Sequence, residues 1–242
     1  MQALPPLTLN PDLDVAALRH IYARTGRVTI RDWLPIDAAV MLATLLRERS
    51  DWRQILNSGE KALELTRDAR AQLSSAQYTA LENAVYGAAR YGFQYRYETI
   101  RVPDAKKERQ MSTDMLCRFA EWMSSEPVCA LLRQITQDED ICFADAQATA
   151  YSPGDFLTGH DDAVPGKNRR AAYVMGLTAQ WRPEWGGLLL FHDSDEIAEA
   201  RPPQYNVLNL FRVPQIHSVT EVTKAAAYRR YSITGWLRSQ QP

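Results

Sequence analysis

The spacing of hydrophobic positions changes character near residue 140. Before that point apolar residues recur at helical intervals. Pro35-Ile36-Asp37 opens a segment in which Ala38, Val40, Met41, Leu42 and Leu45 share one apolar side, and residues 75–92 and 113–136 read as further helices. Two alternating runs interrupt them: Arg27-Val28-Thr29-Ile30-Arg31, a short strand, and residues 93–101, whose aromatic and aliphatic residues alternate with polar ones as in a sheet-edge strand. Residues 104–109 read as a charged, solvated loop.

Beyond residue 140 the period shortens to two, with strands expected at 141–151, 155–162, 171–178, 187–191, 206–211, 216–222 and 229–237. Short strands separated by Pro and Gly predict a sandwich or barrel. The chain therefore divides into an N-terminal helical, α+β casing (1–139) and a β-rich core (140–242), packed as one compact α+β domain that is mainly β at its centre. Tyr151-Ser152-Pro153-Gly154-Asp155 places Pro and then Gly at the centre of a tight turn. A hairpin there sets Tyr151 beside the strand carrying His160.

Within that strand, residues two apart point to one side, so His160 and Asp162 share a face and Asp161 points away. A bulge would exchange Asp161 for Asp162. With a distant His217 they make two imidazoles and one carboxylate, a donor set that can cap one face of an Fe(II) octahedron and leave the other open. On the last strand Arg230, Ser232, Thr234 and Trp236 fall on one side. A guanidinium is a planar fork of donors, and Arg230 with the Ser232 hydroxyl suits a carboxylate deep in a barrel. Fe(II) with one Asp carries one net positive charge, so a dianionic oxo-acid calls for this one further cation.

Composition narrows the partners. The 242 residues carry a formal charge of -1 with a pI near 6.4, which argues against a general grip on nucleic acid. No basic start and apolar run of a signal peptide is read at Met1-Gln2-Ala3-Leu4-Pro5-Pro6, and no later stretch reads as a membrane span, so a cytoplasmic protein is expected. Cys117, Cys129 and Cys142 are an odd number without CxxC spacing; reduced thiols are expected.

Three ordered blocks carry a resemblance: Tyr151 to Leu157 leading into His160-Asp161-Asp162, Trp185-Gly186-Gly187-Leu188-Leu189-Leu190-Phe191, and His217-Ser218-Val219 leading into Arg230 to Trp236. Over roughly residues 140–240 the chain resembles the Fe(II)/2-oxoglutarate-dependent dioxygenases, in their prolyl-hydroxylase branch that includes the ribosomal-protein prolyl dihydroxylases. The resemblance implies a double-stranded β-helix, or jelly roll, flanked by N-terminal helices. It implies iron bound by His160, Asp162 and His217, and 2-oxoglutarate held through its distal carboxylate by Arg230 and Ser232, with Tyr151 as a further contact. It implies consumption of 2-oxoglutarate and O₂ with hydroxylation of a C–H bond, ascorbate being compatible as an accessory reductant. The substrate it points to is a prolyl residue in a protein; a free amino acid or small metabolite, or a metal-binding jelly roll that is no oxygenase, are the alternatives. A monomer or homodimer fits equally. Gly176 stands where prolyl hydroxylases often place a tyrosine against the co-substrate.

Other residues have plainer expectations. His20 lies on a helix surface, and His192, in Phe191-His192-Asp193-Ser194-Asp195, sits in a polar turn. Tyr151 either meets the co-substrate or caps the core. Trp185-Gly186-Gly187 is a turn with glycines for close approach. Tyr231 and Trp236 are core aromatics in strands, with a place along a substrate groove as the alternative.

Overall fold

The computed structural model describes residues 5–58, 61–193 and 196–241. The readings on Met1 to Leu4, and on Ser194 and Asp195, lie outside the described residues. In chain order the helices are α1 (Val15–Thr25), α2 (Ile36–Glu48), α3 (Arg67–Ala71), α4 (Ser75–Ala89), α5 (Lys106–Met111), α6 (Met115–Met123) and α7 (Glu126–Thr136). The strands are β1 (Arg27–Arg31), β2 (Arg53–Ser58), β3 (Lys61–Thr66), β4 (Tyr95–Arg101), β5 (Phe143–Ala144), β6 (Gln147–Tyr151), β7 (Phe156–His160), β8 (Arg169–Leu177), β9 (Leu189–Asp193), β10 (Glu196–Arg201), β11 (Tyr205–Arg212), β12 (His217–Val219) and β13 (Arg230–Arg238).

The strands run in the order β1-β11-β8-β13-β6-β4-β7-β12-β9-β10, every pair antiparallel, with the β2–β3 hairpin continuing from β4. This curled sheet is the expected double-stranded β-helix: β7-β12-β9-β10 folds over the longer arm, and a cavity lies between them. Helices cover the outer face of the longer arm. There Leu42 and Leu46 of α2, Phe119 of α6 and Leu132 of α7 join Met175, Leu208, Leu210, Ile233 and Leu237 in one buried cluster. Each such side chain contributes about 1.5–3 kcal/mol by leaving water.

Several expectations need correcting. The run 113–136 is two helices, because Ser124 and Ser125 end one and cap the next while Pro127 sits in the first turn of α7. Residues 105–108 are exposed as expected, but the segment is not a loop and Arg109 leaves the surface. α5 begins at Lys106, and Arg109 is 1% exposed, its guanidinium 4.6 Å from the Phe143 ring centroid and donating to the Ala144 carbonyl at 3.0 Å. β4 is no edge strand. Along one edge it pairs with β2, and along the other its last residues pair with β6 and its first with β7, so β6 and β7 follow one another in line rather than folding back as a hairpin at 151–155; Tyr151 still shares an apolar cluster with Leu157 of the His160 strand. Side chains along β4 alternate as a strand should; which strands flank it is a long-range choice.

Candidate metal and co-substrate site

His160, Asp162 and His217 offer ligand atoms that all lie within 4.8 Å of one another. β12 brings His217 opposite His160 on β7, with ring centroids 4.1 Å apart. Asp162 arrives differently from the alternation argument: β7 ends at His160, and Asp162 has φ 63°, in the left-handed region. An uncommon backbone conformation for a residue other than Gly is held here by Arg169, whose Nη1 donates to the Asp162 carbonyl at 2.9 Å. The carboxylate oxygens stand 3.3 Å from His160 Nε2 and 3.4 Å from His217 Nε2. Asp161 points elsewhere, its Oδ1 accepting from the Ala163 amide at 3.0 Å.

The two imidazoles are oriented from behind. His160 Nδ1 faces the Thr158 carbonyl at 3.0 Å and His217 Nδ1 the Gln215 carbonyl at 2.8 Å, so each Nδ1 carries the proton and each Nε2 presents a lone pair. Burial, with the His160 ring adding to it, drives the His217 pKa down to about 4. Burial opposes the charge on Asp162, but the His160 and His217 rings beside it outweigh burial and hold that carboxyl below its usual range. Two neutral imidazoles and one carboxylate at these separations fit a hard-to-borderline divalent ion such as Fe(II).

Arg230, Ser232, Thr234 and Trp236 line the cavity of about 350 Å³ together with the three candidate ligands, as alternation along β13 requires. Arg230 is 5% exposed and its Nη1 has no hydrogen-bond partner among the described residues. Its Cζ lies 5.0 Å from the centroid of the Tyr151 ring, directly across the β6–β13 pair. The Ser232 hydroxyl meets Thr149 Oγ1 at 2.8 Å. A buried guanidinium left without an anion is costly, and a cavity with room beside it for a carboxylate resolves the cost.

Trp236 meets both expectations: it packs against the buried cluster of Ala172, Leu189, Phe191 and Phe211 and also lines the cavity, with the Arg169 guanidinium 3.6 Å from its ring centroid. Tyr231 does pack against the core. His192 lies in β9 rather than a turn, its Nε2 2.8 Å from Ser218 Oγ and away from the cluster. His20 is exposed. The Trp185-Gly186-Gly187 turn is as expected, since a Cβ on Gly186 would meet the Glu221 carbonyl oxygen at 2.0 Å. At Gly176 a Cβ would meet the Gln204 carbonyl oxygen at 2.4 Å, so no side chain fits there. Sequence reasoning passed over Arg169, Thr149 and Tyr97. The Tyr97 ring stacks on Tyr151 at 5.0 Å and 16°, and only the long-range pairing of β4 reveals it.

Residues 146–238 match the sequence model of the 2OG-Fe(II) oxygenase superfamily. Mouse prolyl 3-hydroxylase OGFOD1 is 34% identical over 101 residues, which are 38% of this chain and 18% of that protein; the match thus spans under a fifth of that relative. Among solved structures, a prolyl-4-hydroxylase from Pseudomonas putida superposes with TM-score 0.60 at 20% identity, over 93% of this chain and 99% of that one. A prolyl hydroxylase from Trichoplax adhaerens, solved with a hypoxia inducible factor peptide fragment, gives TM-score 0.59 at 14% identity, over 93% and 89%. The resemblance to Fe(II)/2-oxoglutarate oxygenases of the prolyl-hydroxylase-like branch therefore holds in the β-rich half, while across nearly the whole chain it is the fold that is shared with the solved structures. Fe(II), 2-oxoglutarate and O₂ are the co-reactants of that superfamily.

Proposed function

We propose that this protein is an Fe(II)- and 2-oxoglutarate-dependent oxygenase that hydroxylates a prolyl residue in a protein or peptide. One conjunction carries the reading: two imidazoles and a carboxylate converge in the same cavity as a buried guanidinium whose Nη1 is unpartnered. In this reading His160, Asp162 and His217 hold the iron, and Arg230, Ser232 and Tyr151 hold 2-oxoglutarate. All six lie in residues 140–242, which act as the catalytic core, with 1–139 as its casing.

When bound, iron supplies the redox chemistry that couples decarboxylation of 2-oxoglutarate by O₂ to insertion of oxygen into a C–H bond. The chain supplies position and charge. The Thr158 and Gln215 carbonyls fix the imidazole tautomers, and the low pKa of His217 keeps its lone pair free at neutral pH. Arg230 offers paired donors to the distal carboxylate of the oxo-acid, while Ser232 adds a hydroxyl and the Tyr151 ring shields the guanidinium from water. Among the described residues no helix is long and apolar enough to cross a membrane, and the reading takes the protein as cytoplasmic, a monomer or a homodimer.

The test is anaerobic loading with Fe(II), 2-oxoglutarate and proline-containing peptides, followed by admission of air and mass spectrometry. A peptide gaining one oxygen atom at proline is expected. Turnover of 2-oxoglutarate that modifies free amino acids and no peptide would overturn the protein-substrate half of the reading; absence of any 2-oxoglutarate turnover would overturn all of it.

A further inference from the structure

The candidate metal ligands and the candidate carboxylate seat stand on different arms of the curled sheet. His160 ends β7, Asp162 follows it and His217 opens β12, all on the short arm β7-β12-β9-β10. Arg230 and Ser232 belong to β13, in the longer arm. An oxo-acid that spans metal and guanidinium therefore bridges the two arms, and its fit depends on what fixes the gap between them.

At the free ends of the sheet that gap is closed by side chains. Among the described residues no backbone ladder joins β10 to β1. Instead Glu199 of β10 accepts from Arg27 Nε of β1 at 2.7 Å and from Arg201 Nε at 2.5 Å. Arg201 Nη1 crosses the seam, donating to the Val28 carbonyl at 3.3 Å and to Asn209 Oδ1 of β11 at 3.1 Å. An ion pair at a surface ordinarily contributes little. Here the two arginine side chains are 14% and 9% exposed, and each guanidinium lies 5.0 Å from the centroid of the fully buried Phe191 ring. Two desolvated cations against one ring repel each other unless a carboxylate stands between them. Phe191 is the direct cross-strand partner of His217. On the inner side, Arg201 and Asn209 line a space of about 10 Å³ together with Arg230 and Ser232. The seam thus touches the neighbour of a metal ligand and backs the carboxylate seat.

Resting on the reading of His160, Asp162 and His217 as iron ligands and Arg230 as the carboxylate seat, we propose that Glu199, with Arg27 and Arg201, is a positioning group. It holds the short arm at the distance from Arg230 that 2-oxoglutarate spans. Because all three ligands move with one arm, loosening the seam leaves metal binding intact and weakens a ligand that must reach both arms.

The probes are 2-oxoglutarate and pyruvate, which has the same oxo-acid head and no distal carboxylate. Each is titrated into protein loaded with Co(II) in place of Fe(II), with Co(II) affinity measured alongside. Wild type is expected to prefer 2-oxoglutarate. Glu199→Gln should weaken 2-oxoglutarate by about tenfold and leave pyruvate and Co(II) affinities unchanged, a split that a general folding defect does not produce. In the Co(II) form of the wild type, 2-oxoglutarate should slow hydrogen exchange in residues 27–31 and 196–201 and pyruvate should not, a measurement that needs no variant. Undiminished 2-oxoglutarate affinity in the variant, an equal loss for pyruvate, or seam strands whose exchange is indifferent to 2-oxoglutarate would overturn the positioning role. Wild type that takes Co(II) but shows no preference for 2-oxoglutarate would sink the assignment of Arg230 as the carboxylate seat, and the positioning role with it. The two failures are distinguishable, because the first leaves the wild-type preference in place.

Discussion

Arg230 and Tyr151 are direct cross-strand partners, and the guanidinium carbon stands 5.0 Å from the centre of the phenol ring. Burial lowers the Arg230 pKa, and no carboxylate among the described residues pairs with it in compensation. The site thus holds a cation that the fold alone does not need.

Removing that cation is expected to separate stability from function. Arg230→Met keeps much of the side-chain volume and deletes the desolvated charge, so the metal-free protein should melt at the same temperature or higher, by up to about 2 kcal/mol in stability. The same variant should show no rise in melting temperature with 2-oxoglutarate, whereas the wild type should show one. Thermal melts with and without the oxo-acid check both halves.

The pH dependence of the metal-free protein carries a signature of His217. Its folded pKa is depressed to about 4 from an ordinary 6.5, so the unfolded chain takes up this proton first as pH falls. The stabilisation is complete above about pH 6.5 and is lost as pH drops toward 4. In chelator-treated protein, His217→Gln should flatten the fall in stability across that window, as read by urea unfolding at a series of pH values.

Asp145 titrates in the opposite sense. Burial lifts its carboxyl to about 6, against the hydrogen bond it accepts from the Trp236 amide at 2.7 Å. The folded state holds a proton that the unfolded chain releases between 3.8 and 6, so its contribution worsens as pH rises through that window. Asp145→Asn, which still accepts from Trp236, should be more stable than wild type at pH 8 by about 1–2 kcal/mol and lose this advantage near pH 4.

Glu98 has no exposed side-chain surface and binds three arginines: Arg67 at 2.7 Å, Arg70 at 2.5 Å and Arg229 at 2.9 Å. It joins α3 and β4 to the residue preceding Arg230. Glu98→Gln leaves three cations around a neutral amide and should destabilise by about 3 kcal/mol, the low end for breaking a buried pair because the arginines reach water. The KM for 2-oxoglutarate should rise more than kcat falls, as steady-state kinetics would show.

Local pattern made the β-rich half legible and long-range pairing hid the rest. The face of β13 could be read because alternation alone puts Arg230, Ser232 and Trp236 together, and the two histidines and Asp162 were found by type and order. The route to Asp162 was misread, since nothing in His160-Asp161-Asp162 announces a strand that ends at its first residue and a left-handed turn two residues later. Tyr97 and Thr149 were missed because they reach the cavity only through the long-range pairing of β4 with β6 and β7 and of β6 with β13. Arg109 reads as surface in a charged run, and only the Phe143 ring and the Ala144 carbonyl waiting above it explain its burial.

The most direct test of the metal and co-substrate site is succinate formation from 2-oxoglutarate in air, with Fe(II) supplied, by wild type and by His160→Ala, Asp162→Ala and His217→Ala, each checked for an intact fold by circular dichroism. Wild type should convert 2-oxoglutarate to succinate, and each folded variant should lose at least about a hundredfold of that rate. Variants that stay folded and turn over 2-oxoglutarate at the wild-type rate would contradict the account.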